Sequence, residues 1–226
     1  MSLLSILGAL MAGGGSGATD PYFASRVAVA NLNTDLTDAK GKIWTAHGGA
    51  AVSGGWLNLD GIDDYISTPE SADFDFGSGE FCVEAFVNLP ASPGGYVPII
   101  AKWQGSGLSF YFGINTARRL VLFVRIAGTN YFPEAPALPI ATGTDTHVAL
   151  YRIGSTFYVS VAGSVLGILS SGGAINDTSQ PTSVGAQSDG SNGLAAMVRG
   201  VRATYGGTGG YGVSSFTPPP FPLPTS

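Results

Sequence analysis

Apolar and polar residues alternate along much of this chain with a period of two, the repeat of a half-buried β-strand. In Trp56-Leu-Asn-Leu59, Leu57 and Leu59 share one side and Trp56 and Asn58 the other, and Asp60-Gly61 closes the run with turn chemistry. Phe81-Cys-Val-Glu-Ala-Phe-Val87 sets Phe81, Val83, Ala85 and Val87 on the expected core face and leaves Cys82, Glu84 and Phe86 on the opposite one. Comparable runs lie at Val97–Trp103, Leu108–Ile114, Leu120–Ile126, His147–Ile153, Phe157–Val161 and Met197–Thr204, each set off by Gly, Pro, Ser or Asn. That spacing suits antiparallel strands joined by hairpins and predicts a single-domain, all-β antiparallel sandwich. No helix-length pattern interrupts the runs, and the lack of a fixed repeat argues against a propeller or solenoid.

The two ends read differently from the body. Leu3, Ile6, Leu7 and Leu10 recur at three- and four-residue intervals, which predicts a short helix over residues 2–12 with an apolar side that also takes in Leu4. Such a helix is too short to be stable alone in water, and Gly13–Gly17 after it reads as a linker, so residues 1–19 are expected to be a docking segment and tether. A basic n-region and a cleavage pattern are missing, which argues against a secretory signal, and the apolar run is too short to span a bilayer. Residues 20–205 form the expected sandwich, and 206–226 are a Gly- and Pro-rich strap with two aromatic anchors, Phe216 and Phe221.

With 44% hydrophobic and 11% charged residues the 226-residue chain is folded rather than disordered, and 34 glycines with 14 prolines fit many short strands and tight turns. A net charge of -5, with no basic cluster beyond Arg118-Arg119, excludes nucleic acid as an expected partner. A single cysteine, Cys82, leaves no internal disulfide.

Leu59-Asp-Gly-Ile-Asp-Asp-Tyr-Ile66 and Ser71-Ala-Asp-Phe-Asp-Phe-Gly-Ser-Gly-Glu-Phe-Cys-Val-Glu-Ala-Phe-Val87 resemble the most recognisable stretch of laminin-G-like domains, with Cys82 where Thr is common and Phe86 where Trp is common. The similarity continues in order through Ile99–Trp103, Thr146–Arg152, Thr156–Val161, Val184–Gly190 and Val198–Arg202, and covers most of residues 20–205. It implies the jelly roll of the concanavalin-A-like lectins and glucanases. Asp20-Pro-Tyr-Phe23 after a Gly-rich apolar leader, and Phe216-Thr-Pro-Pro-Pro-Phe221 after Tyr211, resemble the phage branch of that family. The resemblance implies a non-enzymatic bacteriophage virion structural protein, a head decoration or tail component on the particle surface. Leu3, Leu4, Ile6, Leu7, Leu10, Phe216 and Phe221 would dock it on other virion proteins. The alternative is a receptor-binding module for a host surface glycan, and a second copy of the chain is a further candidate partner.

The carboxylates weigh against the third alternative, a glucan-active enzyme. Glucanases of this fold alternate their acids along one strand, whereas Glu80 and Glu84 lie roughly 13 Å apart with Cys82 between them. His47 and His147 have no metal-ligand spacing, and no serine sits in a nucleophile motif, so no residue is assigned a catalytic role. No cofactor is expected other than calcium, which related sandwiches hold in loops; Asp60, Asp63, Asp64 and Asp189 are its candidate ligands. Trp56, Tyr96, Trp103 and Tyr131 are candidate rings for stacking on a sugar.

Overall fold

The computed structural model describes residues 19–226. The docking segment predicted around Leu3, Leu4, Ile6, Leu7 and Leu10 lies outside them. Fifteen strands run in order: β1 (Arg26–Ala30), β2 (Thr45–His47), β3 (Ala51–Ser53), β4 (Trp56–Asp60), β5 (Tyr65–Thr68), β6 (Phe81–Asn88), β7 (Val97–Gln104), β8 (Gly107–Ile114), β9 (Leu120–Ile126), β10 (Thr129–Tyr131), β11 (Thr146–Ile153), β12 (Thr156–Val161), β13 (Ser164–Ser170), β14 (Thr182–Val184) and β15 (Ala195–Tyr205). The helical elements among the described residues are two single turns, Phe23–Ser25 and Ala72–Phe74.

The strands form two antiparallel sheets, as the alternating pattern predicts. An eight-stranded sheet runs β13-β12-β11-β6-β15-β4-β3, with β1 also on β15, and a seven-stranded sheet runs β10-β9-β8-β7-β14-β5-β2. The predicted core face of β6 is the observed one: Phe81, Val83, Ala85 and Val87 are wholly buried in the main core. Val83 is flanked by Leu150 and Ala203, and Val87 by Val198, so apolar positions stay in register across the sheet centre. Phe76 joins the layers, stacked on Phe81 at 4.2 Å and tilted against Phe110 of the facing sheet at 5.3 Å. The Asp60-Gly61 turn needs its glycine twice over: Gly61 has φ +84°, and a Cβ there would lie 2.8 Å from that of Ala195.

A two-layer sandwich ordinarily leaves its outer faces to water. Here residues 206–226 run back over the eight-stranded sheet. Tyr151 donates to the Gly212 carbonyl at 2.9 Å, Phe216 N–H to Gly163 at 3.0 Å, and Asn31 brackets the Leu223 backbone with bonds of 2.9 and 3.1 Å. Phe216 stacks on Tyr211 at 4.3 Å, and Phe221 packs edge-on against Phe86 at 5.7 Å. Both rings, expected to anchor the chain to a partner, lie on the chain's own sheet, which provides the nearest apolar surface.

Candidate functional site

Under that strap, β1, β6, β11 and β15 bring together side chains from distant parts of the sequence. Glu84 points outward from the middle of β6 yet is 1% exposed. It accepts from Arg202 Nε at 2.8 Å, His147 Nε2 at 2.8 Å and the Tyr211 hydroxyl, with Arg26 at 3.5 Å. Arg26 pairs in turn with Asp20 at 2.7 Å and donates to Thr204 at 2.5 Å, so two carboxylates face two guanidinium groups. Burial by itself would raise the Glu84 carboxyl, but Arg202 and His147 outweigh it and hold the group well below the usual range. Burial next to Glu84 pushes the Tyr211 hydroxyl upward. A general acid must reach a substrate and a second carboxylate must flank it. Glu84 is sealed and charge-balanced, so its geometry suits a clasp between sheet and strap.

The aspartate turns divide. Asp60, Asp63 and Asp64 offer oxygens within 4.8 Å of one another, whereas Asp189 lies outside that group and accepts from Ser191 at 2.7 and 3.0 Å. Both Asp64 oxygens already hold backbone, Oδ1 the Gly49 N–H and Oδ2 the Asp60 N–H at 3.1 Å, and Asp60 caps Ile62 N–H at 2.8 Å. These three residues could still offer free lone pairs to a cation, since Ca²⁺ takes six to eight oxygens. A second acidic group, Glu70, Asp75 and Asp177, escaped the sequence reading. The wholly buried Lys102 fills its centre, bonded to Asp75, 3.3 Å from Asp177 and 3.6 Å from Glu70. Burial raises the Asp75 carboxyl despite that ammonium.

The four candidate sugar-stacking rings are not brought to one place. Trp56 faces the Arg199 guanidinium at 4.0 Å, and Phe221 holds the other contact of that guanidinium at 4.0 Å, in a clamp that Asp145 completes by ion pairing. Tyr131 packs against the main core, since it pairs with the core residue Val124. Tyr96 and Trp103 do meet, on the outer face of the seven-stranded sheet, through residues that the sequence reading missed. Phe123 lies 5.2 Å from Tyr96, 6.4 Å from Trp103 and 4.9 Å from Tyr111, and Phe132 closes on both Phe123 and Trp103. Tyr96 and Phe132 are 45% and 56% exposed, so the group forms an aromatic floor with two rings in water. At its rim Glu134 accepts from Tyr96 Oη at 2.5 Å and from Asn115 Nδ2 at 2.7 Å. The Tyr96–Phe123 pairing reaches across the whole of β7 and β8 in the sequence, which no local pattern encodes.

The fold can be set beside known proteins. The binding domain of Paraclostridial Mosquitocidal Protein 1 superposes with a TM-score of 0.65 at 10% identity, over 87% of this chain and 50% of that one. Trypanosoma rangeli sialidase, in complex with sialic acid, superposes with a TM-score of 0.62 at 19% identity, over 86% of this chain and 33% of that one. This chain thus spans a third to a half of the length of these structures, and the likeness is one of fold. No curated protein matches the sequence. Residues 60–205 match the family model described as the concanavalin A-like lectin/glucanases superfamily, in agreement with the two antiparallel sheets, and the chain belongs to that superfamily.

Proposed function

We propose that this chain is a non-catalytic glycan-binding module, and that its binding site is the aromatic floor of Tyr96, Trp103, Phe123 and Phe132 with Glu134 at the rim. The observation that carries the reading is the pairing of two water-exposed rings with a carboxylate held in place by two donors. Sugars offer apolar ring faces for stacking and hydroxyls to donate, and a braced carboxylate accepts such hydroxyls with little loss of side-chain freedom. The same negative charge disfavours acidic sugars, so neutral hexoses are the substrate class. The absence of an accessible acid pair around Glu84 supports a binding role over hydrolysis.

The particle surface of a bacteriophage is the proposed setting, on the strength of the leader and C-terminal sequence resemblances alone. In that setting the sandwich is displayed, and residues 1–12 attach it to other virion proteins. Calorimetry against a panel of neutral and acidic oligosaccharides tests the glycan site. Tyr96→Ala and Phe132→Ala are each expected to weaken binding of a neutral ligand about tenfold, the loss of roughly one aromatic contact. Binding that survives both substitutions, or that selects acidic sugars, would displace the proposal.

A further inference from the structure

The residues that follow β1, together with Thr225 near the end of the strap, line a cleft of about 340 Å³. That volume is at the lower end of small-molecule sites and leaves room for a single ring. Both ends of the loop at residues 31–39 are pinned. Asn31 brackets the Leu223 backbone, and its carbonyl accepts from Gly200 N–H at 2.8 Å. Asp38 accepts from Val29 N–H at 3.1 Å, Lys40 N–H at 2.7 Å and Trp44 Nε1 at 3.0 Å. Between these anchors Leu32 takes φ +55°, a left-handed conformation unfavourable for a bulky residue, while its side chain is buried in the main core. That burial offsets the strain, so the cleft is formed before any ligand arrives.

The lining is chemically mixed. Val29, Leu32 and Ala39 supply apolar wall, and the side chains of Asn33, Thr34 and Thr225 have no protein partner among the described residues. Leu32, Asn33, Thr34 and Asp35 also carry four consecutive backbone N–H groups that donate to no protein acceptor among the described residues. Fixed donors, free hydroxyls and apolar wall match a sugar ring, whose oxygens accept, whose hydroxyls donate and whose C–H face is apolar. Charge narrows the class. The lining holds no Lys or Arg to balance an anion, and its one carboxylate, Asp35, is exposed and already accepts from Thr37 N–H at 2.8 Å, a weak hold on a cation.

We propose that this cleft binds one uncharged sugar ring, at a second site separate from the aromatic floor. β1 belongs to the eight-stranded sheet and the floor to the seven-stranded one, so either site can fail without the other. One ring makes few contacts, and its dissociation constant is expected in the millimolar range. Amide NMR titration of the full chain with glucose, galactose and mannose reads it. At least one of them is expected to shift the amides of residues 32–35 saturably, with glucuronate and glucosamine binding at least about tenfold more weakly. Ala39→Phe fills the cleft from an exposed position and keeps the backbone bond to Val29, so it is expected to abolish those shifts with an unchanged melting curve. Asn33→Ala, which removes no side-chain hydrogen bond of the fold, is expected to weaken binding several-fold, and Tyr96→Ala combined with Phe132→Ala to leave it unaltered. No saturable shift with any neutral ring, tighter binding of a charged one, or shifts that persist unaltered in a folded Ala39→Phe or in Asn33→Ala would each overturn the site. Shifts lost in the Tyr96, Phe132 variant would assign the binding to the floor and overturn it as well.

Discussion

Replacing Glu84 by Gln removes one negative charge from a cluster that the fold keeps almost wholly out of water, and leaves the size of the side chain unchanged. In the native protein Asp20 and Glu84 balance Arg26 and Arg202, with side-chain exposures of 1–4% throughout. After the substitution two guanidinium groups share one carboxylate in an environment that does not screen them. Breaking a buried pair in this way costs about 3–5 kcal/mol, a large share of the roughly 5–15 kcal/mol that holds a domain together. For a chain of this size that corresponds to a fall in melting temperature of about 6–20 °C. Thermal unfolding at neutral pH, followed by circular dichroism, reads it directly. If the stranded charge is the cause, Glu84→Gln combined with Arg202→Met, which keeps Asp20 with Arg26, should lose less than the sum of the two single changes. Acid provides a second signature. Because the folded carboxyl is depressed, its contribution is complete above the unfolded value of 4.5 and shrinks as pH falls below it. The wild-type advantage over Glu84→Gln should therefore narrow below that pH. A fall of less than about 2 °C in the single variant, or strict additivity in the pair, would refute the electrostatic clasp.

Lys102→Met should raise the Asp75 carboxyl further, because three carboxylates lose the ammonium between them; two-dimensional NMR of the aspartate side chains follows the shift, and an unmoved Asp75 would show that the ammonium does not set it. Calcium added after EDTA should leave the melting temperature unchanged, since the lone pairs left free on Asp60, Asp63 and Asp64 fall short of the six to eight oxygens that Ca²⁺ takes; a rise of several degrees, lost in Asp63→Asn, would show a loaded site. Incubation with β-glucans and host polysaccharide should release no reducing ends, and turnover abolished by Glu84→Gln would contradict the sealed geometry. Deleting residues 1–12 should leave a folded sandwich that no longer enters phage particles, and normal copy number in purified particles would place attachment elsewhere.

What the sequence determined by itself is the part that depends on local alternation. A period of two tells which residues of a strand share a face, so Phe81, Val83, Ala85 and Val87 follow as the core face, and Leu57 and Leu59 as one side of their strand, from neighbours two positions away. The turn at Asp60-Gly61 was equally local. Three-residue strands such as β2, β3 and β10 carry too few positions to show a period, and their existence follows from the partners beside them. What covers an outer face is likewise a long-range matter. Glu84 meets Arg202 118 residues later and Tyr211 127 residues later, so nothing near Glu84 marks it as a buried, charge-balanced group. Tyr131 and Phe132 make the same point in one step of chain: both are aromatic and adjacent in sequence, yet pairing with Val124 turns the first to the core, and the second is left on the aromatic floor. Alternation decides that neighbours point opposite ways, and only the packed sheets decide which way is in.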